Sequence, residues 1–233
     1  MIQLRGASVT VSIPASGQVR RRVLLHPTTL ELTERRVAVI GANGSGKSTL
    51  LRLLNGLVLP STGDVLVDGL DTRRQGRDVR RKVGFVFTDP MAQLVLATAA
   101  DDIELSLRPL IRNREARRAE ALRLLTERGL GEVADQSVYD LSGGERQLVA
   151  LTSVLAAAPS IVVADEPTTL LDLRNRDRVR LAIAGLDQQV ILATHDLDLA
   201  GEADRVLVIE AGTVIADGEP AEAIAAYLRL VRP

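Results

Sequence analysis

An apolar run, Val37-Ala38-Val39-Ile40, passes directly into Gly41-Ala42-Asn43-Gly44-Ser45-Gly46-Lys47-Ser48-Thr49, and helical spacing follows over residues 48–55. The spacing G-x-x-x-x-G-K-[ST] between a strand and a helix predicts a loop whose inward-turned N–H groups cradle phosphate at the positive end of the helix. Residues 41–49 form the expected nucleotide-binding set. Lys47 would reach the β- and γ-phosphates, and the Ser48 hydroxyl would ligate Mg²⁺. A glycine-rich turn with a chance lysine is the rival reading, and the composition weighs against it. Lys47 and Lys82 are the two lysines among 29 basic residues, so a lysine at this position carries information.

Strand, loop and helix in this order open a parallel sheet, and the rest of the chain continues it. Short apolar runs at Val83 to Phe87, Ile161-Val162-Val163-Ala164, Val190-Ile191-Leu192-Ala193 and Val206 to Ile209 read as strands, with a paired strand over residues 213–216. Such runs alternating with helical segments predict an α/β sheet covered on both faces. The start (residues 2–12) and residues 63–69 read as a small β-layer. A Gly/Ser/Pro turn with Arg20-Arg21-Arg22 is expected between the start and the sheet. Helical spacing over residues 98–107, 114–128 and 145–157, punctuated by Pro109, Gly129 and Pro159, predicts a helical insertion. The expected organisation is one α/β domain of the P-loop NTPase (RecA-like) type. Residues 1–88 and 158–233 would form the nucleotide-binding core with its antiparallel β-layer, and residues 89–157 the helical subdomain. A last helix over residues 220–231 is expected to cap it with Ala, Ile and Leu inward.

Composition limits the chemistry. Cysteine is absent and only His26 and His195 are present, which excludes thiol catalysis, disulfides and Cys- or multi-His-ligated metals. A net charge of -1 and four aromatic residues (Phe85, Phe87, Tyr139, Tyr227) leave neither a polycationic surface nor a base-stacking platform, so nucleic acid is not an expected partner. The remaining tools are carboxylates, hydroxyls, amides and backbone. Two carboxylates close an apolar strand at Asp165-Glu166, where residues at the carboxyl edge of a parallel sheet point at the ligand crevice. Asp165 would hold Mg²⁺ through water, and Glu166 would orient the water that attacks the γ-phosphate. Alone, such a pair would read as a solvated turn.

Leu141-Ser142-Gly143-Gly144-Glu145-Arg146-Gln147 lies about twenty residues before that pair, Leu171-Asp172 follows it, and Thr194-His195-Asp196 comes later. With the phosphate loop and Asp165-Glu166-Pro167-Thr168, this order resembles the nucleotide-binding ATPase of ABC transporters along the whole chain. The Ser142-Gly143-Gly144 helix start is a second anion-binding turn. The resemblance implies two subunits head to tail, each ATP lying between the phosphate loop of one and the signature (Leu141, Ser142, Gly143, Gly144, Glu145) of the other. It also implies that Asp172 bridges the two sites and that His195 contacts the γ-phosphate, whereas His26 belongs to no motif. Two departures stand out. Val11 occupies the position where relatives carry an aromatic residue that stacks on adenine, leaving an aliphatic contact or one from Arg20 to Arg22. Thr88 replaces the glutamine that meets Mg²⁺ and water.

Thr88-Asp89-Pro90-Met91-Ala92-Gln93-Leu94 followed by Thr98-Ala99-Ala100-Asp101-Asp102-Ile103 is similar to the F-x-x-P-x-x-Q and T-x-x-E-D-V run of energy-coupling-factor (ECF) uptake ATPases, and the D-loop from Thr168 through Leu170 to Asn175 is most similar to that of biotin-transporter ATPases. The resemblance implies Gln93 as a contact to a membrane partner, T-type scaffold and S-type substrate-binding subunits, a homodimer, vitamin (biotin foremost) or metal-ion uptake, and ATP hydrolysis with Mg²⁺. No run of about 18 apolar residues and no signal-peptide order at residues 1–6 occur, so the chain is expected on the cytoplasmic face of the inner membrane as a peripheral subunit. The Arg112, Arg114, Arg117, Arg118 run reads as a solvated helix face or as a contact to lipid head groups. The alternative function is a soluble ABC ATPase of cluster assembly without a membrane partner.

Overall fold

In the computed structural model the described residues are 1–15, 18–169 and 171–231. Along them run β1 (Ile2–Ala15), β2 (Gln18–Leu32), β3 (Arg36–Ile40), α1 (Lys47–Leu54), β4 (Thr62–Val67), β5 (Leu70–Asp71), α2 (Gly76–Lys82), β6 (Val83–Val86), α3 (Ala99–Leu107), α4 (Arg114–Glu127), α5 (Gly143–Ala156), β7 (Ile161–Asp165), α6 (Leu173–Ala184), β8 (Gln189–Ala193), α7 (Leu197–Gly201), β9 (Arg205–Glu210), β10 (Thr213–Gly218) and α8 (Pro220–Val231). The chain is α/β with an antiparallel layer and a helical region, as the sequence predicts. It divides into two compact units, Met1–Val83 with Gln189–Pro233, and Gly84–Gln188. The expected helical stretch, residues 89–157, lies within the second.

The first unit carries the antiparallel sheet β2-β1-β4-β5 and the strand order β10-β9-β3-β8. β3 pairs parallel with β8 (Val39 opposite Ala193) and with β9 (Ile40 opposite Val208). Val37, Ala38, Val39 and Ile40 are fully buried, which is why β3 is an unbroken apolar run rather than an alternating one. On one side Ala38, Ile40, Val206 and Val208 pack with Ala200 and Ala223, and Ile224 and Tyr227 of α8 close over them. Ala223 and Ile224 thus face inward as expected, while Leu230 stays half exposed.

One expectation is corrected in this unit. Arg20, Arg21 and Arg22 do not lie in a turn but in β2, opposite Ile13, Ser12 and Val11 of β1. Solvent reaches this end of the two-stranded ribbon, so charged side chains are accommodated and the usual apolar alternation is lost. Ser16 and Gly17 of the expected turn lie outside the described residues. Helix α2 was not foreseen because Val79 is its one buried side chain, and a helix so nearly all polar has no apolar stripe to read.

In the second unit β6 neighbours β7, and α3, α4 and α5 form the helical part. Thr98 and Asn113 cap α3 and α4 by accepting from the amides of Asp101 and Ala116. Arg118 binds Glu104 (3.1 Å), Asp101 and Asp135, and Arg117 lies 3.5 Å from Glu104. These two arginines therefore tie α4 to α3 and are not a solvated or lipid-facing row, which corrects that part of the Arg112–Arg118 reading. Buried Asp102 accepts from the amides of Val95 (2.9 Å) and Leu96 (3.0 Å) through Oδ1, and Ser153 Oγ lies 3.4 Å from its Oδ2. No helix among the described residues is long and apolar enough to cross a membrane. Asp102→Ala leaves two amide donors without an acceptor, so it should lower unfolding free energy by about 2 kcal/mol, read as a lower urea midpoint at unchanged slope.

Candidate functional site

In the first unit the loop of residues 41–46 leaves β3 at its carboxyl end and α1 begins at Lys47, one residue earlier than the apolar spacing alone predicts. Gly41 has φ +149°, and a Cβ there would fall 2.1 Å from the Ile209 carbonyl oxygen, so any side chain would force β9 away from the loop. The loop is fixed from below as well: the Gly212 amide donates to the Ser45 carbonyl (2.7 Å) and the Ser45 amide to that of Ala42 (3.1 Å). Ala42, Asn43 and Gly44 are exposed at the crest, and Ser48 and Thr49 are half-buried in the first turn of α1. Lys47 is 4% exposed and donates to the carbonyls of Gly41 (2.9 Å) and Ala42 (3.2 Å), so its ammonium is held across the loop it closes. Ser45 Oγ is buried without a partner. A buried hydroxyl, a cationic head and a helix start aimed at one loop suit a phosphate chain.

The structure brings His195 to the same edge of the same unit. Because β3 and β8 run parallel with Val39 opposite Ala193, the chain leaves both strands side by side, and His195 stands exposed two residues past Ala193. Buried Thr194 donates its amide to the Val39 carbonyl (3.1 Å) and accepts from the Asp196 amide (3.0 Å), and Asp196 caps α7. His195 is thereby held between two anchored neighbours. His26 is exposed on β2 and spends its amide on the Gly212 carbonyl. Val11 is half-buried on β1 opposite Arg22, and Tyr227, the aromatic residue of this unit, belongs to the α8 core. No described aromatic side chain of the unit is thus free to stack on a base.

The second unit holds the carboxylates and the signature. All five residues of β7 are buried, and Asp165 at its end is 2% exposed. Glu166 follows in the left-handed region (φ +49°), a costly conformation for a residue with a side chain, and Thr169 Oγ1 donates to its Oε2 (3.1 Å). Thr88 donates to the Asp165 carbonyl (2.7 Å), so its hydroxyl ties the loop after β6 to the end of β7. Gln93 donates to the Ala150 carbonyl of α5 (2.7 Å) and accepts from the Phe87 amide (3.4 Å). Gln147 of α5 reaches back to the Phe87 carbonyl (3.2 Å). No spacing in the sequence marks this bond of Gln147, because a side-chain bond to a distant backbone atom leaves no pattern to detect.

Ser142 caps α5 and Leu141 is buried beneath it. Glu145 Oε2 accepts from the Ser142 amide (2.8 Å) and hydroxyl (2.7 Å), and the Glu145 amide lies 3.3 Å from Ser142 Oγ, a reciprocal capping box. The box is visible in the sequence as S-x-x-E. Asp172 caps α6 by accepting from the Asn175 amide. Leu170 of the expected D-loop lies outside the described residues.

Among the described residues no group of three or more His, Cys, Asp and Glu side chains could hold a metal as a protein cage. A serine hydroxyl and a carboxylate, the donor types named in the sequence at Ser48 and Asp165, are each of a kind that suits Mg²⁺, which keeps waters and binds largely through substrate phosphates.

Residues 25–169 match the family described as ABC transporter. A putative ABC transporter ATP-binding protein of Deinococcus radiodurans is 52% identical over 88% of this chain and 91% of its own length. The biotin transport ATP-binding protein BioM of Rhizobium etli is 46% identical over 88% and 92%. Among solved structures, an ATP-binding cassette seen as a dimer in a post-hydrolysis state bound to ADP and Pi superposes with a TM-score of 0.85 at 30% identity, covering 94% of this chain and 99% of that one. The chain belongs to the ABC transporter family and is its ATP-hydrolysing cassette.

Glu145 generates a test. The Ser142 hydroxyl and then the Ser142 amide hold its carboxyl below the usual range. A carboxyl with a lowered folded pKa stabilises above its unfolded value, about 4.3, and that contribution is lost as pH falls through the lower folded value. The stability difference between wild type and Glu145→Gln should be present at pH 7 and close below about pH 4, as measured by urea unfolding at several pH values.

Proposed function

We propose that this chain is the ATPase subunit of an ECF-type uptake transporter, with biotin as the first candidate cargo and other vitamins or metal ions after it. The observation that carries this reading is the 46% identity to a biotin transport ATP-binding protein over nine-tenths of that relative's length. The Gln93 segment and the T-x-x-E-D-V-like run at Thr98 support it. The chain would work on the cytoplasmic face of the inner membrane as a homodimer, bound to a T-type scaffold and an S-type substrate-binding subunit. Gln93, already bonded to α5, would link the loop that meets the membrane partner to the signature helix.

In this reading the loop of residues 41–49 binds the ATP phosphates. Lys47 would exchange its loop carbonyls for the β- and γ-phosphates, and Ser48 and Asp165 would hold Mg²⁺, which when bound would neutralise phosphate charge. Glu166 orients the attacking water, and His195 meets the γ-phosphate. The partner's signature donors complete the cradle, and Asp172 bridges the two sites. Catalysis then follows from positioning and charge neutralisation, with no covalent intermediate. Left-handed Glu166 supports its assignment, since strained residues gather at functional sites.

Glu166→Gln should lower ATP turnover by about 10²- to 10³-fold while ATP binding persists. Turnover near the wild-type rate removes Glu166 from the reaction. Val11→Tyr should tighten ATP binding several-fold by adding the missing stacking surface, checked by nucleotide titration. Capture of tagged protein from detergent-solubilised native membranes should recover two integral membrane proteins, whereas recovery of soluble partners alone favours the cluster-assembly function.

A further inference from the structure

The two glycines of the signature differ in what presses on them. A Cβ added to Gly144 would lie 2.2 Å from Asn175 Cγ, 2.3 Å from its Oδ1 and 2.5 Å from its Cβ, whereas one added to Gly143 would meet Leu171 Cδ2 at an ordinary 3.6 Å. Gly144 is therefore a glycine because the body of the Asn175 side chain occupies the place of its Cβ. The same asparagine holds both oxygens of Asp172. Its backbone N–H donates to Oδ1 (2.9 Å) and its Nδ2 donates to Oδ2 (2.9 Å). One side chain thus rests on the start of α5 and grips the carboxylate at the start of α6.

We propose that Asn175 is a positioning residue that ties the Asp172 carboxylate to the Gly144 turn, so that the signature donors and the D-loop carboxylate meet a second subunit as one preset surface. This rests on the head-to-tail ATP dimer proposed above. An amide suits the task where its neighbours in chemistry do not. Aspartate keeps the shape against Gly144 but sets a carboxylate against Asp172 Oδ2, and alanine keeps the backbone bond and the Cβ beside Gly144 while releasing Oδ2. Two donors from one residue fix the carboxylate in rotation as well as distance, and preset groups need no reorganisation when the partner arrives. The Asp172 carboxyl is accordingly held below its usual range, first by the Asn175 amide N–H and then by its side chain.

The test uses the full chain in a Glu166→Gln background with Mg·ATP, reading the dimer dissociation constant by analytical ultracentrifugation, nucleotide affinity of the monomer by fluorescent-ATP titration, and Tm. Asn175→Ala should weaken the dimer about tenfold with nucleotide affinity unchanged, and Asn175→Asp should do the same although it preserves side-chain shape. Gly144→Ala should weaken the dimer more, and Gly144→Ala with Asn175→Gly should be no weaker than Asn175→Gly alone, because the Asn175 Cβ that would lie 2.5 Å from the new methyl is removed with the rest of the side chain. An unchanged dimer constant in Asn175→Ala, or effects of Gly144→Ala and Asn175→Gly that simply multiply, overturns the inference. If Asn175→Ala fails to fold, Asn175→Asp is judged on the same criterion. If the Glu166→Gln protein itself stays monomeric with ATP, the head-to-tail reading falls and this inference with it.

Discussion

The parallel pairing of β3 with β8 governs where the chemistry of the first unit is found. Parallel strands end at the same edge, so with Val39 opposite Ala193 a phosphate loop leaving one strand and a histidine leaving the next emerge together, though about 150 residues separate them in sequence. The pairing is secured by burial, with Val37, Ala38, Val39, Val190, Ile191 and Ala193 withdrawn from solvent, and by the Thr194 amide extending the ladder one bond past β8. The loop in turn needs β9, because the Ile209 carbonyl lies where a Gly41 side chain would be. Three strands thus define the floor on which one loop can hold phosphate.

The second unit follows a different logic, in which donors and acceptors of functional motifs are already spent on one another. Ser142 gives its amide and hydroxyl to Glu145, Asp172 is held by Asn175, and Thr88 and Gln93 bond backbone groups of β7 and α5. Such bonds fix rotamers at little cost in an exposed place, and they set what a nucleotide must displace or accept. For Ser142 the internal acceptor is itself an anion, so in the proposed dimer a phosphate arriving at α5 would exchange with a carboxylate rather than enter an empty cradle.

Legibility in the sequence tracks these two logics. Fully buried strands announce themselves as apolar runs, and β3, β7 and β8 are foreseen within a residue or so. The longer helices of the second unit are equally plain, since helical spacing punctuated by Pro109, Gly129 and Pro159 marks them, and the structure adds their caps at Thr98, Asn113 and Ser142. Segments that bury almost nothing are not readable: α2 offers only Val79, and the outer end of β2 sets three arginines in a solvated ribbon that looks like a turn. In the site, the phosphate loop, the carboxylates and the signature are visible because their chemistry demands residue types at fixed spacing. The roles of Gln147 and Asn175 are not, because each depends on a contact across the fold.

Gly144 shows how a motif can mislead about its own cause. Read as sequence, both signature glycines look like concessions to a phosphate that must approach backbone amides. In the structure Gly143 could carry a methyl group with its nearest contact at 3.6 Å, and Gly144 could not, for a reason that lies on α6. Neither glycine is among the residues with positive φ, so conformational freedom does not explain them either. Glycine at 144 and asparagine at 175 are then a matched pair, and the constraint on one position is a packing demand made by the other. A functional motif of this kind encodes the geometry of its support as well as its contact with substrate, and only the first is lost when a single partner is changed.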